Sequence, residues 1–168
     1  MFEIGDNIIY GSEGVYTVTE YTTSPIDKND TRQFYVLRPV HGPAGNVIIT
    51  PVGNDKVKMR AIMSRDDALA FIDSIPSIPT LEVEREKNRR EVYRIALADG
   101  SAEKFVSIIK TVMARRAEML KLRKHVSESD NDYEKKAKFC INGELAVSLG
   151  MRFDEVDAFI AERLTTAV

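Results

Sequence analysis

Short runs of β-branched and aromatic residues, separated by turn residues, occupy the first part of the chain. They lie at 8–10, 15–21, 34–37, 47–50 and 57–60. The segments 11–14 and 41–46, which contain glycine or proline, favour tight reversals over continued strands. This pattern predicts a small antiparallel β-sheet or barrel.

The pattern changes to helical spacing around a proline- and serine-rich stretch at 75–80. Ser64, with acidic residues after it, predicts a first helix through 68–72. Ser101 opens a later helix, Ser127 or Ser129 the next, and glycines end two helices at 100 and 150. Val92, Ile95 and Ala96 have helical spacing before Gly100, and apolar residues of the next helix share one face: Phe105, Ile108, Ile109, Val112 and Met113. In the last helix Phe153, Val156, Phe159 and Ile160 are expected to turn inward. The sequence therefore predicts an α+β protein with one domain at 1–75 and an all-helical domain at 81–168.

Composition favours folded domains without a strong overall charge. The 168 residues are 43% hydrophobic and 30% charged, which is typical of one or two compact domains. The formal net charge of −2 argues against a protein that holds nucleic acid by overall charge alone. No apolar run approaches the ~20 residues that span a bilayer, and no signal-peptide pattern opens the chain. We expect a cytoplasmic protein that makes no membrane contact.

Catalytic signatures are absent from the sequence. It contains no phosphate-binding loop, zinc-protease motif or nucleophile elbow, and no cofactor is expected. His41 and His125 lie far apart in sequence and are expected to face solvent. Cys140 cannot form an intramolecular disulfide, and its neighbours predict a buried packing residue. We expect no enzyme; an unrecognised one would require a deep polar pocket joining His125, Cys140 and a carboxylate.

Cations outnumber acids in the segment from 85 to 124. The cations are Arg85, Lys87, Arg89, Arg90, Arg94, Lys104, Lys110, Arg115, Arg116, Lys121, Arg123 and Lys124. Unpaired cations would neutralise phosphates and give salt-sensitive affinity for nucleic acid. Alternatively, pairs such as Glu86 with Arg90 would make an ordinary solvated helix surface. The charges alone leave both interpretations open.

Several motifs follow one another in the order found in a known family. Residues 2–10, Phe-Glu-Ile-Gly-Asp-Asn-Ile-Ile-Tyr, with Gly14-Val15 after them, resemble the opening of the CarD-like (CarD/CdnL) bacterial transcription regulators. Further similar segments are 34–37, Thr50-Pro51, Met59-Arg60, 97–101, Ala137 and 143–146. The similarity covers nearly the whole chain.

This resemblance implies a Tudor-like N-terminal barrel that binds the RNA polymerase β subunit by edge-strand pairing. The polymerase contact would fall on Val47, Ile48, Ile49 and Thr50, with Lys28, Arg32 and Arg38 nearby. The helical domain would touch promoter DNA, without sequence specificity, at the upstream edge of the transcription bubble. Its DNA-binding residues would be Arg85, Glu86, Lys87, Arg89, Arg90, Arg94 and Lys124, assisted by Lys135 and Lys136. The implied protein is a nucleoid-associated monomer that catalyses no reaction.

The chain departs from the family pattern at three points. It has no tryptophan, and Glu86 stands where the family inserts a tryptophan wedge beside the bubble. A carboxylate cannot prop open a base step and is repelled by phosphates. Residues 11–13 replace the family's Pro-x-His, and Ile49 replaces a basic residue. A polymerase-bound adaptor without direct DNA contact is therefore the alternative interpretation.

Overall fold

The structure, a computed structural model, describes residues 1–166; the last two positions of the predicted helical domain lie outside them. The strands are β1 Asn7–Tyr10, β2 Val15–Thr22, β3 Phe34–Pro39, β4 Ile48–Pro51 and β5 Met59–Ala61. The α-helices are α1 Arg65–Ser74, α2 Arg89–Asp99, α3 Ala102–Lys121, α4 Glu128–Leu149 and α5 Val156–Thr166. Short 3₁₀ turns lie at Ile75–Ser77, Glu86–Asn88 and Phe153–Glu155. The predicted α+β arrangement, with an antiparallel sheet followed by helices, is confirmed.

The five strands form one antiparallel sheet in the order β4-β3-β2-β1-β5. Within the described chain β4 and β5 do not pair with each other, so the sheet is open where the sequence predicted a barrel. Each of these two strands has a neighbour on one side only. The register between β2 and β3 shifts between Val18 and Glu20, an irregularity that increases local twist.

Three serines begin the helices as predicted. The side chains of Ser64, Ser101 and Ser127 each accept a hydrogen bond from a backbone N–H in the first turn of α1, α3 and α4. Gly100 and Gly150 end α2 and α4 with φ of 75° and 66°, which a side chain would strain. The choice between Ser127 and Ser129 is thus resolved in favour of Ser127.

Successive residues of β1 divide between two hydrophobic clusters, because side chains alternate across a sheet. Ile8 is buried in a small cluster with Tyr35 and Leu37 on one face. Ile9 belongs to the main core, which also contains Phe71 of α1 and residues from α2, α3 and α4. The sheet and the helices therefore share one core.

The proline-rich stretch before the second helical segment is fastened to α3. The Lys110 ammonium donates hydrogen bonds to the carbonyl oxygens of Ile75 at 2.7 Å and Ile78 at 2.6 Å. The Ser107 hydroxyl donates to the Pro79 carbonyl at 2.8 Å. These contacts hold the stretch along the helix.

Two residues of the apolar helix patterns lie outside the core. Ile95 on α2 is 59% exposed and Met113 on α3 is 57% exposed, so the periodic pattern includes residues that the fold does not bury. The buried face of α2 is formed instead by Tyr93, Ala96 and Leu97, which follow the i, i+3, i+4 spacing of one helix face. Two apolar faces of α2 overlap at Ala96, one containing Val92 and Ile95 and the other Tyr93 and Leu97. Packing in the folded protein buries the face that contains Tyr93.

Candidate partner-binding surfaces

The edge strand β4 presents alternating side chains to solvent and core. Ile49 is 43% exposed and the adjacent Val47 37%, whereas Thr50 is buried and Ile48 packs against the small cluster. β4 pairs with β3 through Val36 opposite Ile49. An edge strand carries backbone N–H and C=O groups available to a second strand. Three of the four residues that the resemblance assigned to polymerase thus lie on this edge strand, and Val47 directly precedes it.

The cations near β4 differ in whether they form an ion pair with an acidic residue of the protein. Arg32 makes a forked contact with Asp30 at 2.7 to 3.1 Å, and its hydrogen bonds hold the pKa of that carboxyl below its usual value. Lys28 is exposed in the same loop. Arg38 is exposed on β3 and makes no ion pair with any residue of 1–166. Arg38 is therefore the better placed of the two arginines to meet an acidic partner beside β4.

Four charged side chains at the start of α2 form an ion network: Glu86, Arg89, Arg115 and Asp130. The Arg89 Nε donates to Asp130 Oδ1 at 2.8 Å, and Arg115 donates to Glu86 at 2.9 Å. Asp130 is 1% exposed and Arg89 14%. Glu86 contacts Arg89 where the sequence suggested a pair with Arg90. The network joins α2, α3 and α4.

The buried carboxylate of this network is held ionised. Burial would raise the pKa of Asp130, but hydrogen bonds from Arg89 and from Ser127 outweigh it and keep the pKa below its ordinary value. Burial raises the pKa of the neighbouring Tyr93 to about 12, and the Asp130 charge adds to this shift. The Tyr93 hydroxyl has no hydrogen-bond partner among the described residues. Because Arg89 donates to this ionised, buried carboxylate, its charge is already paired within the protein.

The remaining candidate DNA-binding cations at this end are exposed. Across residues 1–166, the side chains of Arg85, Lys87, Arg90 and Lys124 make no ion pair, whereas Arg94 pairs with Glu91. Arg90 and Lys136 line one shallow groove beside Tyr133, together with acidic residues of α4. We call Arg85, Lys87, Arg90 and Lys136 the cationic surface. Lys124 follows α3 at the same end of the helical part, and Lys135 is exposed on α4.

The structure keeps His125 and Cys140 apart. His125 is exposed just before α4, and Cys140 is fully buried some fifteen residues later, a separation of about 20 Å along the helix. Burial raises the pKa of the Cys140 thiol to about 12, and its Sγ donates to the Ser12 carbonyl at 3.2 Å. Cys140 is thus the packing residue that the sequence predicted.

A groove that the sequence did not indicate lies between the sheet and α4. Its volume is about 980 Å³, and His41, Phe139 and Phe153 line it. The His41 ring lies 5.3 Å from that of Phe153, and its Nε2 is 3.3 Å from the Gly143 carbonyl. His41 is therefore half-buried at the junction, and the expectation that it faces solvent is wrong. Because these contacts join positions distant in sequence, no local sequence pattern predicted the groove.

No helix in the described part of the chain is long and apolar enough to cross a membrane. In the comparisons, no protein-family model and no curated protein matched the chain. The likeness to the CarD-like regulators accordingly rests on the sequence motifs described above.

Proposed function

We propose that the protein is a bacterial transcription regulator that binds the RNA polymerase β subunit through β4 and promoter DNA through its helical part. The observation that carries the proposal is the exposed edge strand β4, at the position where the resembled family has its polymerase-contacting strand. In this proposal the open five-stranded sheet serves as the Tudor-like module. The protein works as a monomer at the nucleoid.

Strand addition explains why the contact does not need a basic residue at position 49. Backbone hydrogen bonds supply affinity when a strand joins a sheet edge, and alternate side chains supply specificity. Val47 and Ile49 offer apolar area on the outward face of this edge. Arg38, which makes no ion pair within the described residues, adds a cation beside it.

The DNA contact is assigned to the cationic surface, with Lys124 and Arg94 at its margin. Each cation that neutralises a phosphate releases counterions, so binding depends on salt more than on base sequence. Glu86 is engaged in the ion network and there is no tryptophan, so the contact grips duplex without wedging a base step. A preference for open over closed promoter of ~1.4 kcal/mol would change their ratio about tenfold.

The alternative is a polymerase-bound adaptor that makes no direct DNA contact. The internal engagement of Arg89 and Glu86 favours it, because two of the residues aligned with the family's DNA contact are satisfied by the fold itself. The two functions share the β4 contact and differ only at the cationic surface.

Co-elution with purified bacterial core and holo polymerase in low salt tests the shared step. We expect the wild-type chain to co-elute and Ile49→Glu to be lost from the complex, because a charge would then face the added strand. Ile95→Glu is the matched control, since Ile95 is similarly exposed but lies on α2. Failure of the wild-type chain to co-elute, or equal retention of all three proteins, would refute the proposal.

With β4 binding established, open-complex lifetime separates the regulator from the adaptor. It is measured on one stable and one unstable promoter, with and without the protein. A change in lifetime that Lys87→Gln/Arg90→Gln removes supports direct DNA contact. A change that the double variant retains, or no change, supports the adaptor.

A further inference from the structure

An apolar stripe runs along the whole of α3, and the fold covers only its first half. The stripe consists of Ala102, Val106, Ile109, Met113, Ala117 and Leu120, spaced four and three residues apart so that all six lie on one helix face. Ala102 and Val106 are buried, and Ile109 is partly buried. Met113 is 57% and Leu120 72% exposed, and Ala117 is also exposed.

The edges of the exposed half are bordered by charges that the fold already satisfies. Lys110 on one side is bound to the carbonyl oxygens of Ile75 and Ile78. Arg116 on the other side pairs with Glu134 of α4 at 2.9 Å. Apolar side chains are therefore what this face offers to a further partner.

Cations without strong partners surround the exposed end of the stripe. Arg123 and Lys124 make no ion pair with any residue in 1–166, and both are exposed. Lys121 lies 3.5 Å from Glu118, and both side chains are 74% exposed, so water screens that pair. Glu118 is the only acidic residue between 113 and 125. The end of the stripe thus carries an excess of positive charge.

We infer that the exposed half of the α3 stripe docks an acidic amphipathic helix of another protein. An apolar row at heptad spacing fits the apolar row of a second helix, and acidic flanks on that helix complement Lys121, Arg123 and Lys124. A second copy of this chain offers only Glu118 to those cations across a symmetric interface. DNA would satisfy the cations but leave Met113 and Leu120 uncovered. The inference does not depend on the polymerase contact, and it shares only Lys124 with the proposed promoter contact.

Fluorescence anisotropy with synthetic helical peptides of about 15 residues, four turns, tests this docking on the full chain. One labelled peptide carries leucine at i, i+3, i+4 and i+7, glutamate at the positions that flank this row and alanine elsewhere, and its partner carries lysine in place of glutamate. We expect the glutamate peptide to bind and the lysine peptide to bind at least about tenfold more weakly. Leu120→Glu and Met113→Glu should each weaken binding about tenfold, the size of a central interface residue.

Matched variants separate this surface from general stickiness. Ile26→Glu, at a 95% exposed loop residue, should leave binding unchanged. The triple change of Lys121, Arg123 and Lys124 to glutamine should weaken binding and flatten its salt dependence. Because every substituted side chain is exposed, circular dichroism and thermal unfolding should match the wild type. Equal binding of both peptides, insensitivity to Leu120→Glu, or self-association of the free protein that Leu120→Glu abolishes would overturn the inference.

Discussion

Arg60 on β5 donates two hydrogen bonds to the carboxylate of Glu144 on α4, at 2.6 and 2.8 Å, between residues 84 positions apart. Glu144 is completely buried and also accepts a hydrogen bond from the backbone N–H of Met63 at 3.0 Å. Arg60 further donates to the Gly100 carbonyl. A buried carboxylate with three donors fixes the sheet edge against the C-terminal third of α4. This ion pair and the shared hydrophobic core connect the sheet to the helices, so we expect them to unfold together.

Removing the arginine should destabilise the whole protein. Arg60→Ala leaves the Glu144 carboxylate buried without its countercharge, at a cost of about 3–5 kcal/mol. The double variant Arg60→Ala/Glu144→Gln should cost less than the sum of its single changes, because it also removes the buried charge. Urea unfolding followed by far-ultraviolet circular dichroism and tyrosine fluorescence measures these differences.

Lys58→Ala is the control for this cycle, because Lys58 makes an exposed contact of 3.6 Å to Asp99 on the same side of the molecule. Exposed pairs contribute at most about 1 kcal/mol. Both probes should report one transition, since the core is continuous. Separate transitions, or equal costs for Arg60→Ala and Lys58→Ala, would contradict the rigid connection.

The free energy of unfolding should fall at acidic pH because Asp130 becomes protonated. Its pKa is lower in the folded protein than in an unfolded chain, because hydrogen bonds from Arg89 and Ser127 outweigh burial. Its contribution is therefore fully present above about pH 4 and is lost as the pH falls through the folded value. Asp130→Asn should lower the free energy of unfolding at pH 7 by about 1.5–3 kcal/mol, since Arg89 and Arg115 retain some access to water.

The difference between Asp130→Asn and the wild type should shrink as the pH falls below about 4. Asp132→Asn, an exposed change two residues along α4, should leave the pH profile close to that of the wild type. Urea unfolding at pH values from 2.5 to 7 provides the measurement. A constant difference across this range would show that the Asp130 charge does not contribute.

The single thiol should be inert in the folded protein. Burial raises the pKa of Cys140 to about 12, so almost no thiolate exists at neutral pH. Ellman's reagent should react with it only as fast as the chain unfolds, and about one equivalent should react at once in denaturant. Rapid modification of the native protein at pH 7 would instead indicate an accessible, activated thiol and would revive the enzyme interpretation.

Most of the elements that were predicted correctly are encoded by short local sequence patterns. The strand runs, the three capping serines and the terminal glycines each depend on a few adjacent residues, and these elements are where the pattern predicted them. The open sheet depends on whether β4 meets β5, and the Arg60–Glu144 pair on how distant segments pack. No neighbouring residue encodes either relationship. Ile95 and Met113 have helical spacing, but only packing decides which face of a helix is covered.

The candidate sites divide in the same way. Edge position makes β4 accessible. The apolar run at 47–50 is more typical of a strand that fills the core than of one that pairs with a partner, so the resemblance was needed to select the partner contact. At the start of α2 the sequence shows how many cations there are, but not which of them form ion pairs with acidic residues in the fold. The ion network takes Arg89, which is 14% exposed, out of the accessible charge. Glu86 stays 68% exposed but is paired with Arg89 and Arg115, whereas Lys87 and Arg90 are exposed and make no ion pair within the described residues.

Charge neutralisation at the start of α2 should therefore weaken promoter binding only at exposed positions. In anisotropy titrations with a promoter duplex, Lys87→Gln/Arg90→Gln should reduce the slope of log affinity against log salt by about 2, close to one for each lost phosphate contact. Lys104→Gln, at the opposite end of α3, should leave the slope unchanged. Arg89→Gln should lower the free energy of unfolding instead, because it deprives the buried Asp130 of the nearer of its two arginine partners. A slope insensitive to Lys87 and Arg90 would favour the adaptor, since these exposed and unpaired cations would then make no phosphate contact.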